Sequence, residues 1–178
     1  MSARDSWCTP RWLAIALGKF DLDPCSNMFS WVDSPRFLTP DVGDNGLPPD
    51  TEPGAYLWQP PDQLDPTLHR VSQMDRVFIN PPYSRGQVLR WVRHWASSNF
   101  TFLLRWDPST RWYTELMCCT SLVWFPHRRI DFEPPPGITA SSNPYPHALY
   151  FKFRPPPDVF TKLANLGRFW YPGEGGNG

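Results

Sequence analysis

Apolar residues recur along this chain at two spacings, and the switches between them divide it into elements. In Arg11 to Gly18, Trp12, Leu13, Ala16 and Leu17 fall on one helical face. Thr9 offers a capping hydroxyl, Pro10 suits a first turn whose N–H groups have no helical acceptor, and Gly18 ends the run. Phe20-Asp21-Leu22-Asp23 then alternates apolar and acidic with the two-residue period of a strand, and Pro24 stops it. Val77-Phe78-Ile79 is a short β-branched and aromatic strand. Ser84 is placed to cap the next helix, in which Val88, Trp91, Val92 and Trp95 recur at i, i+3, i+4 and i+7. Phe100 to Leu104 reads as a buried strand, and Ser109 or Thr110 caps a helix carrying Trp112, Tyr113, Leu116 and Met117. Ser121 to Phe125 is a further strand and His147 to Phe153 a late alternating one. Pro155 to Pro157 lead into a last helix with Val159, Phe160, Leu163 and Leu166.

Strand and helix alternating through the middle of the chain predict an α/β fold with a parallel sheet. Its 178 residues fit a single domain, 1–178, with a frayed tail from 171. Twelve Phe and ten Trp predict a packed core, in which Trp106 and Trp112 take part. The 23 prolines are interleaved with aromatics, which predicts long rigid connections rather than disorder. The longest, from Pro24 to Met74, holds only a weak strand at Tyr56-Leu57-Trp58 and is expected to wrap the active edge.

Charge narrows the function. With 17 basic and 17 acidic residues the formal net charge is zero, so any nucleic-acid surface must be a local basic patch. Cys8, Cys25, Cys118 and Cys119 match no zinc or thioredoxin spacing; they read as thiols in a reducing compartment, with no metal site. No apolar run reaches signal or membrane length, so the expectation is a soluble, cytoplasmic protein with no membrane partner.

The candidate chemistry sits at Asn80-Pro81-Pro82-Tyr83, directly after the Val77–Ile79 strand. Neither proline can donate a backbone hydrogen bond, and both stiffen the chain as it leaves the sheet. The Asn80 amide and the Pro81 carbonyl are left as fixed polar groups at a carboxyl edge, where open α/β sheets bind ligands. Tyr83 adds a flat aromatic face. Such a site suits a planar amine, whose N–H groups meet the acceptors while the ring stacks. A plain proline-rich turn, or a Pro-Pro-x-Tyr-type ligand for a recognition module, is the competing reading; the latter needs an exposed, flexible Tyr83, and a strand directly before it tells against that.

Further segments line up with this one. Trp7-Cys8-Thr9-Pro10, Phe20-Asp21-Leu22-Asp23-Pro24-Cys25, Asn80 to Ser84, Leu103-Leu104 with Ser109-Thr110-Arg111-Trp112, and Arg129-Ile130-Asp131-Phe132 follow in order. In order and spacing the chain resembles the phage-type DNA N6-adenine methyltransferase (Dam-like) family from Trp7 to about Phe153. The resemblance implies a single-domain, Rossmann-like S-adenosylmethionine-dependent methyltransferase sheet with long Pro-rich loops. It implies S-adenosylmethionine at Thr9, Pro10, Asp23, Pro24 and Asp44, and a flipped adenine received by Asn80, Pro81, Pro82 and Tyr83. Thr9-Pro10 also reads as a helix cap, Asp23 as a turn residue before proline, and Asp44-Asn45-Gly46 as a turn. Asn45 interrupts the family's Asp-Gly-Leu element, and a long insertion separates Leu47 from Val77.

Arg85, Arg90, Arg128 and Arg129, with His127, are candidates for DNA phosphates or plain surface arginines. Segments 24–75 and 126–146 are expected to face DNA. Cytosine N4 and a protein glutamine amide are alternative acceptors; the matches at Phe20–Cys25 and Arg129–Phe132 tilt toward adenine. A second class of reading is a catalytically weak or inactive phage protein that keeps the fold and binds nucleic acid or a host partner. Small size without a separate target-recognition domain and the lack of net basic charge favour it.

Overall fold

A computed structural model of the chain describes residues 7–37, 74–83, 86–134, 136–137, 139 and 144–173. In chain order the elements are α1 (Arg11–Leu17), β1 (Arg76–Ile79), α2 (Gln87–Trp95), β2 (Asn99–Arg105) and α3 (Arg111–Met117). They continue with β3 (Leu122–Pro126), β4 (His147–Phe151), α4 (Pro157–Leu166) and β5 (Gly167–Trp170). Asp44, Arg85, Ser84 and the Tyr56–Trp58 strand lie outside the described residues.

The strands alternate two apolar faces, and helices cover both. Val77, Ile79, Phe100, Phe102, Leu104, Val123, Ala148 and Tyr150 pack with the α2 stripe Val88, Trp91, Val92 and Trp95 and with Leu116 of α3. Trp106 and Trp112 pack against this layer partly buried. Phe78, Leu103, Leu122, Trp124, Leu149 and Phe151 face the other way, against Leu13, Ala16 and Leu17 of α1 and Val159 and Leu163 of α4. The two-residue strand period therefore builds a helix–sheet–helix sandwich, the α/β class expected of the sequence.

The sheet is mixed rather than parallel. Its order is β1-β2-β4-β3-β5; β1 and β2 are parallel, β4 runs antiparallel to both its neighbours, and β5 is antiparallel to β3. A parallel neighbour needs a crossover, usually helical, and α2 provides one between β1 and β2. No helix is described between β3 and β4, so β4 enters from the opposite edge. β5 follows α4 with no linker. Its four residues, Gly-Arg-Phe-Trp, carry too little alternation to be read as a strand beforehand.

Phe20–Asp23 forms only isolated bridges, Leu22 parallel to Val77 and Asp23 parallel to Phe37. Phe78 N–H donates to the Leu22 carbonyl at 3.0 Å and Asp23 N–H to the Arg36 carbonyl at 2.9 Å. The chain thus leaves Asp23 toward Phe37 on one side, and leaves β1 toward β2 on the other. In open α/β sheets, ligands bind at the carboxyl ends of neighbouring parallel segments whose onward connections part in this way.

Two helix starts differ from expectation. The N-cap of α1 is Pro10, without a side-chain cap, and Thr9 does not cap. Instead a Glu133 carboxylate oxygen accepts the Arg11 N–H at 2.9 Å, and the other accepts the Trp31 Nε1–H at 2.6 Å. An acidic group supplied from elsewhere in the chain satisfies the helix start, which releases the Thr9 hydroxyl for another partner. Helix α2 begins at Gln87 behind Gly86, whose φ of 81° is a left-handed conformation that glycine adopts without strain.

Candidate active site

Asn80 stands at the end of β1, one residue beyond the last ladder pair, Ile79 with Phe102. Its Nδ2 donates to Thr9 Oγ1 at 3.3 Å. Thr9 is buried and held beside the edge because Cys8 pairs with Glu133 through two backbone hydrogen bonds of 2.8 and 3.0 Å. With Nδ2 committed to Thr9, the amide oxygen is left as the accepting group. No donor reaches Asn80 Oδ1 or the Pro81 carbonyl among the described residues. Both acceptors therefore stay open toward the described residues, on consecutive positions at the carboxyl edge.

Asp23 lies on the neighbouring segment, buried at 3 % exposure. Burial pushes its carboxyl up to about 7, against hydrogen bonds from the Cys25 N–H and from the Ser26 and Cys25 side chains. The Cys25 N–H donates to Asp23 Oδ1 at 3.2 Å, the contact of a turn following Asp-Pro. The Cys25 thiol is held well above its ordinary value, first by burial and then by Asp23, while the Asn80 N–H opposes both. The buried Asp23 and the half-buried Cys25 and Asn80 thus form one polar cluster across the two segments.

Tyr83 is turned inward. Its hydroxyl donates to the Leu103 carbonyl at 3.2 Å, and its ring meets His147 edge-on at 5.8 Å. Burial raises its phenol well above the ordinary range. The Arg105 guanidinium carbon lies 4.8 Å from the Tyr83 ring centroid. His147 pairs with Arg105 across β2 and β4, and burial lowers its imidazole to about 4, with Arg105 adding to the effect. It is a neutral wall, set against Phe132 at 4.9 Å.

Of the arginine candidates, Arg128 and Arg129 are exposed just after β3, whose direction matches β1 and β2, so they stand on the edge that carries Asn80. Arg128 lies over Trp12 at 5.8 Å. Arg90 is half-buried on α2, with Nη1 3.4 Å from Gln87 Oε1. Sequence reasoning missed Arg105, His147 and Glu133. The positions of Arg105 and His147 at strand ends on the carboxyl edge could have pointed to them; nothing local marks Glu133. Among the described residues no group of three His, Cys, Asp or Glu side chains could hold a metal ion, and no helix is long and apolar enough to cross a membrane.

The family model for DNA N-6-adenine-methyltransferase (Dam) matches residues 1–155. The chain belongs to this family. No curated protein and no solved structure matches it significantly. The Dam match spans the Thr9, Asp23 and Asn80 segments, β1 to β4 and the Arg128–Arg129 loop, and it ends before α4 and β5. The observed α/β sandwich with a mixed five-stranded sheet is consistent with a methyltransferase-like fold.

Proposed function

We propose that this member of the Dam family transfers a methyl group from S-adenosylmethionine to adenine N6 in DNA, on a Rossmann-like sheet, with the base flipped into the Asn80–Tyr83 pocket. The observation that carries this reading is the Asn80 amide at the end of β1, whose Nδ2 is committed to Thr9 Oγ1 at 3.3 Å, which leaves Oδ1 and the next residue's carbonyl as acceptors. Those two acceptors match the two hydrogens of an exocyclic amine. Taking both draws the nitrogen lone pair out of conjugation with the ring; once methylated, the positively charged nitrogen loses one proton to solvent water and returns to a neutral amine. Positioning supplies most of the rate, and no strong base is needed. Arg128 and Arg129, with Arg85 and Arg90, would meet phosphates. The protein is proposed to act in the cytoplasm, in a host cell if phage-encoded.

The residues at this carboxyl edge fit the cofactor. When bound, S-adenosylmethionine supplies a sulfonium methyl carbon open to in-line displacement. Thr9 Oγ1 accepts from Asn80, and no described residue accepts its own hydrogen, which leaves it to donate to a carboxylate. The buried Asp23 carboxyl, beside Pro24, suits an ammonium group or ribose hydroxyls, with Pro10 following Thr9 on the adjoining segment. Asp44 remains a candidate for the adenine end of the cofactor.

Calorimetric titration with S-adenosylmethionine, followed by assay of tritium transfer to adenine-containing DNA, tests the proposal. One-to-one binding and appearance of N6-methyladenine are expected; absence of binding at millimolar cofactor overturns it. Because the Asp23 carboxyl loses its proton near 7, affinity for the cationic cofactor is expected to rise with pH. The ionised fraction grows about tenfold between pH 6 and 8, and affinity should follow by roughly the same factor. Asp23→Asn should flatten that dependence; an unchanged slope would place the titrating group elsewhere.

Thr9→Val keeps the shape and removes the hydroxyl. We expect kcat to fall roughly 10- to 100-fold, as Asn80 loses its orienting partner, with a weaker cofactor affinity from one lost charge-assisted bond. Thr9→Ser should restore both. A loss confined to cofactor affinity would remove the orienting role. The reading of a binding protein with little turnover is favoured by one observation, the Arg105 guanidinium lying over Tyr83.

A further inference from the structure

Arg105 ends β2 beside the Asn80 edge, and its surroundings are unusual for an arginine. Its guanidinium carbon is 4.8 Å from the Tyr83 ring centroid and 3.9 Å from that of Tyr145. It makes no ion pair with the described residues, and its Nε is buried with no hydrogen-bond partner among them. A buried donor without a partner is unfavourable, so two aromatic faces are what hold the group. A guanidinium is a flat, delocalised plate that stacks on tyrosine much as a base does.

The Tyr83 side of this arrangement is anchored. The Tyr83 hydroxyl is tied to the Leu103 carbonyl and its ring edge to His147. Among the described residues the Arg105 guanidinium is given only the two aromatic contacts, and it sits on a side chain with several rotatable bonds. The part that can yield is therefore the plate over Tyr83.

We infer that Arg105 is a gate residue of the acceptor pocket: its guanidinium occupies the aromatic slot made by Tyr83 and Tyr145, and an entering base takes its place. This rests on the proposed acceptor role of Tyr83 and adds Tyr145 as a second wall. The ligand class is a planar nucleobase, bound by stacking. An arginine that opens the slot, rather than one that grips the backbone, makes entry competitive with the cation–π contacts.

The test is a binding comparison that needs no methyl transfer. Two short single-stranded oligonucleotides are used, identical except that one carries an abasic site in place of its single adenine. For the wild-type protein the adenine strand should bind more tightly than the abasic strand. Arg105→Ala should widen that preference about fivefold, by tightening the adenine strand and leaving the abasic strand unchanged. Arg105→Lys keeps the charge without the plate and should widen it similarly. Tyr145→Ala should abolish the preference. If Arg105 is instead a phosphate contact, Arg105→Ala weakens both strands equally, lowers the salt dependence by about one counterion, and Arg105→Lys rescues; that overturns the gate. An unchanged preference in both Arg105 variants, with folding intact by thermal unfolding, overturns it as well. A wild-type chain that shows the gated preference yet methylates nothing would sink the methyl-transfer reading and leave the gate standing. Methyl transfer without the Arg105 effect would do the reverse.

Discussion

Asn80→Ala is expected to lower methyl transfer by at least about 1,000-fold while leaving S-adenosylmethionine affinity within a few-fold of the wild type. Removing one preorganised polar group aimed at a reacting centre typically costs 100- to 1,000-fold. Asn80 does more than that in the proposed mechanism, because its Oδ1 both locates the amine and stabilises the charge that develops on it. The variant also strips the Thr9 hydroxyl of its 3.3 Å partner, a local loss of about 1 kcal/mol in stability that the fold can absorb. Transfer is read as tritium incorporated into DNA, and cofactor binding by calorimetry on the same preparation. Loss of both in equal measure would refute the role assigned to Asn80 and move it to the cofactor side. Retention of transfer would refute the acceptor pocket itself. Asn80→Asp should fall between, since a carboxylate still accepts from the amine but cannot donate to Thr9 Oγ1.

Gly167→Ala is expected to destabilise the protein by about 3 kcal/mol or more, at the upper end for overpacking. The reason is contact and not backbone freedom: φ at Gly167 is −170°, an extended value open to any residue. A Cβ there would stand 2.2 Å from the Phe125 carbonyl oxygen and 2.5 Å from the Trp124 indole. Neither neighbour can yield cheaply. The carbonyl belongs to β3, where Pro126 faces Gly167 in the ladder. The indole is fully buried and its Nε1–H donates to the Leu163 carbonyl of α4 at 2.9 Å. Adding one methyl group therefore pushes β5, β3 and α4 apart together. For a chain of this size the expected fall in Tm is about 10 °C. A fall below about 3 °C would show that β5 can shift away from Trp124 without cost.

These two variants probe different kinds of information. Asn80 could be picked out from the chain alone, because a strand of Val77, Phe78 and Ile79 ending in Asn-Pro-Pro-Tyr is a local pattern. So could the α1 and α2 stripes, since Trp12 to Leu17 and Val88 to Trp95 repeat within a few residues and each helix buries the side that its own spacing defines. Gly167 could not. Nothing near it in sequence indicates that Trp124 lies against it.

The same division runs through the site. Local order along the chain determined the α/β class, the helical faces, the strand before Asn80 and the family resemblance, because each depends on contacts or motifs spanning a few positions. Pairing across long separations was decided only by the folded chain. Thr9 reads locally as a helix cap, yet its hydroxyl meets Asn80, 71 positions away, because Glu133 serves the helix start from 122 positions away. The parallel sheet expected from alternating elements became mixed, since β4 has no described helix before it and inserts antiparallel between β2 and β3. Arg105, Tyr83 and Tyr145 come together for the same reason: strand ends remote in sequence share one edge of the sheet, and only the order of the strands says which ends those are.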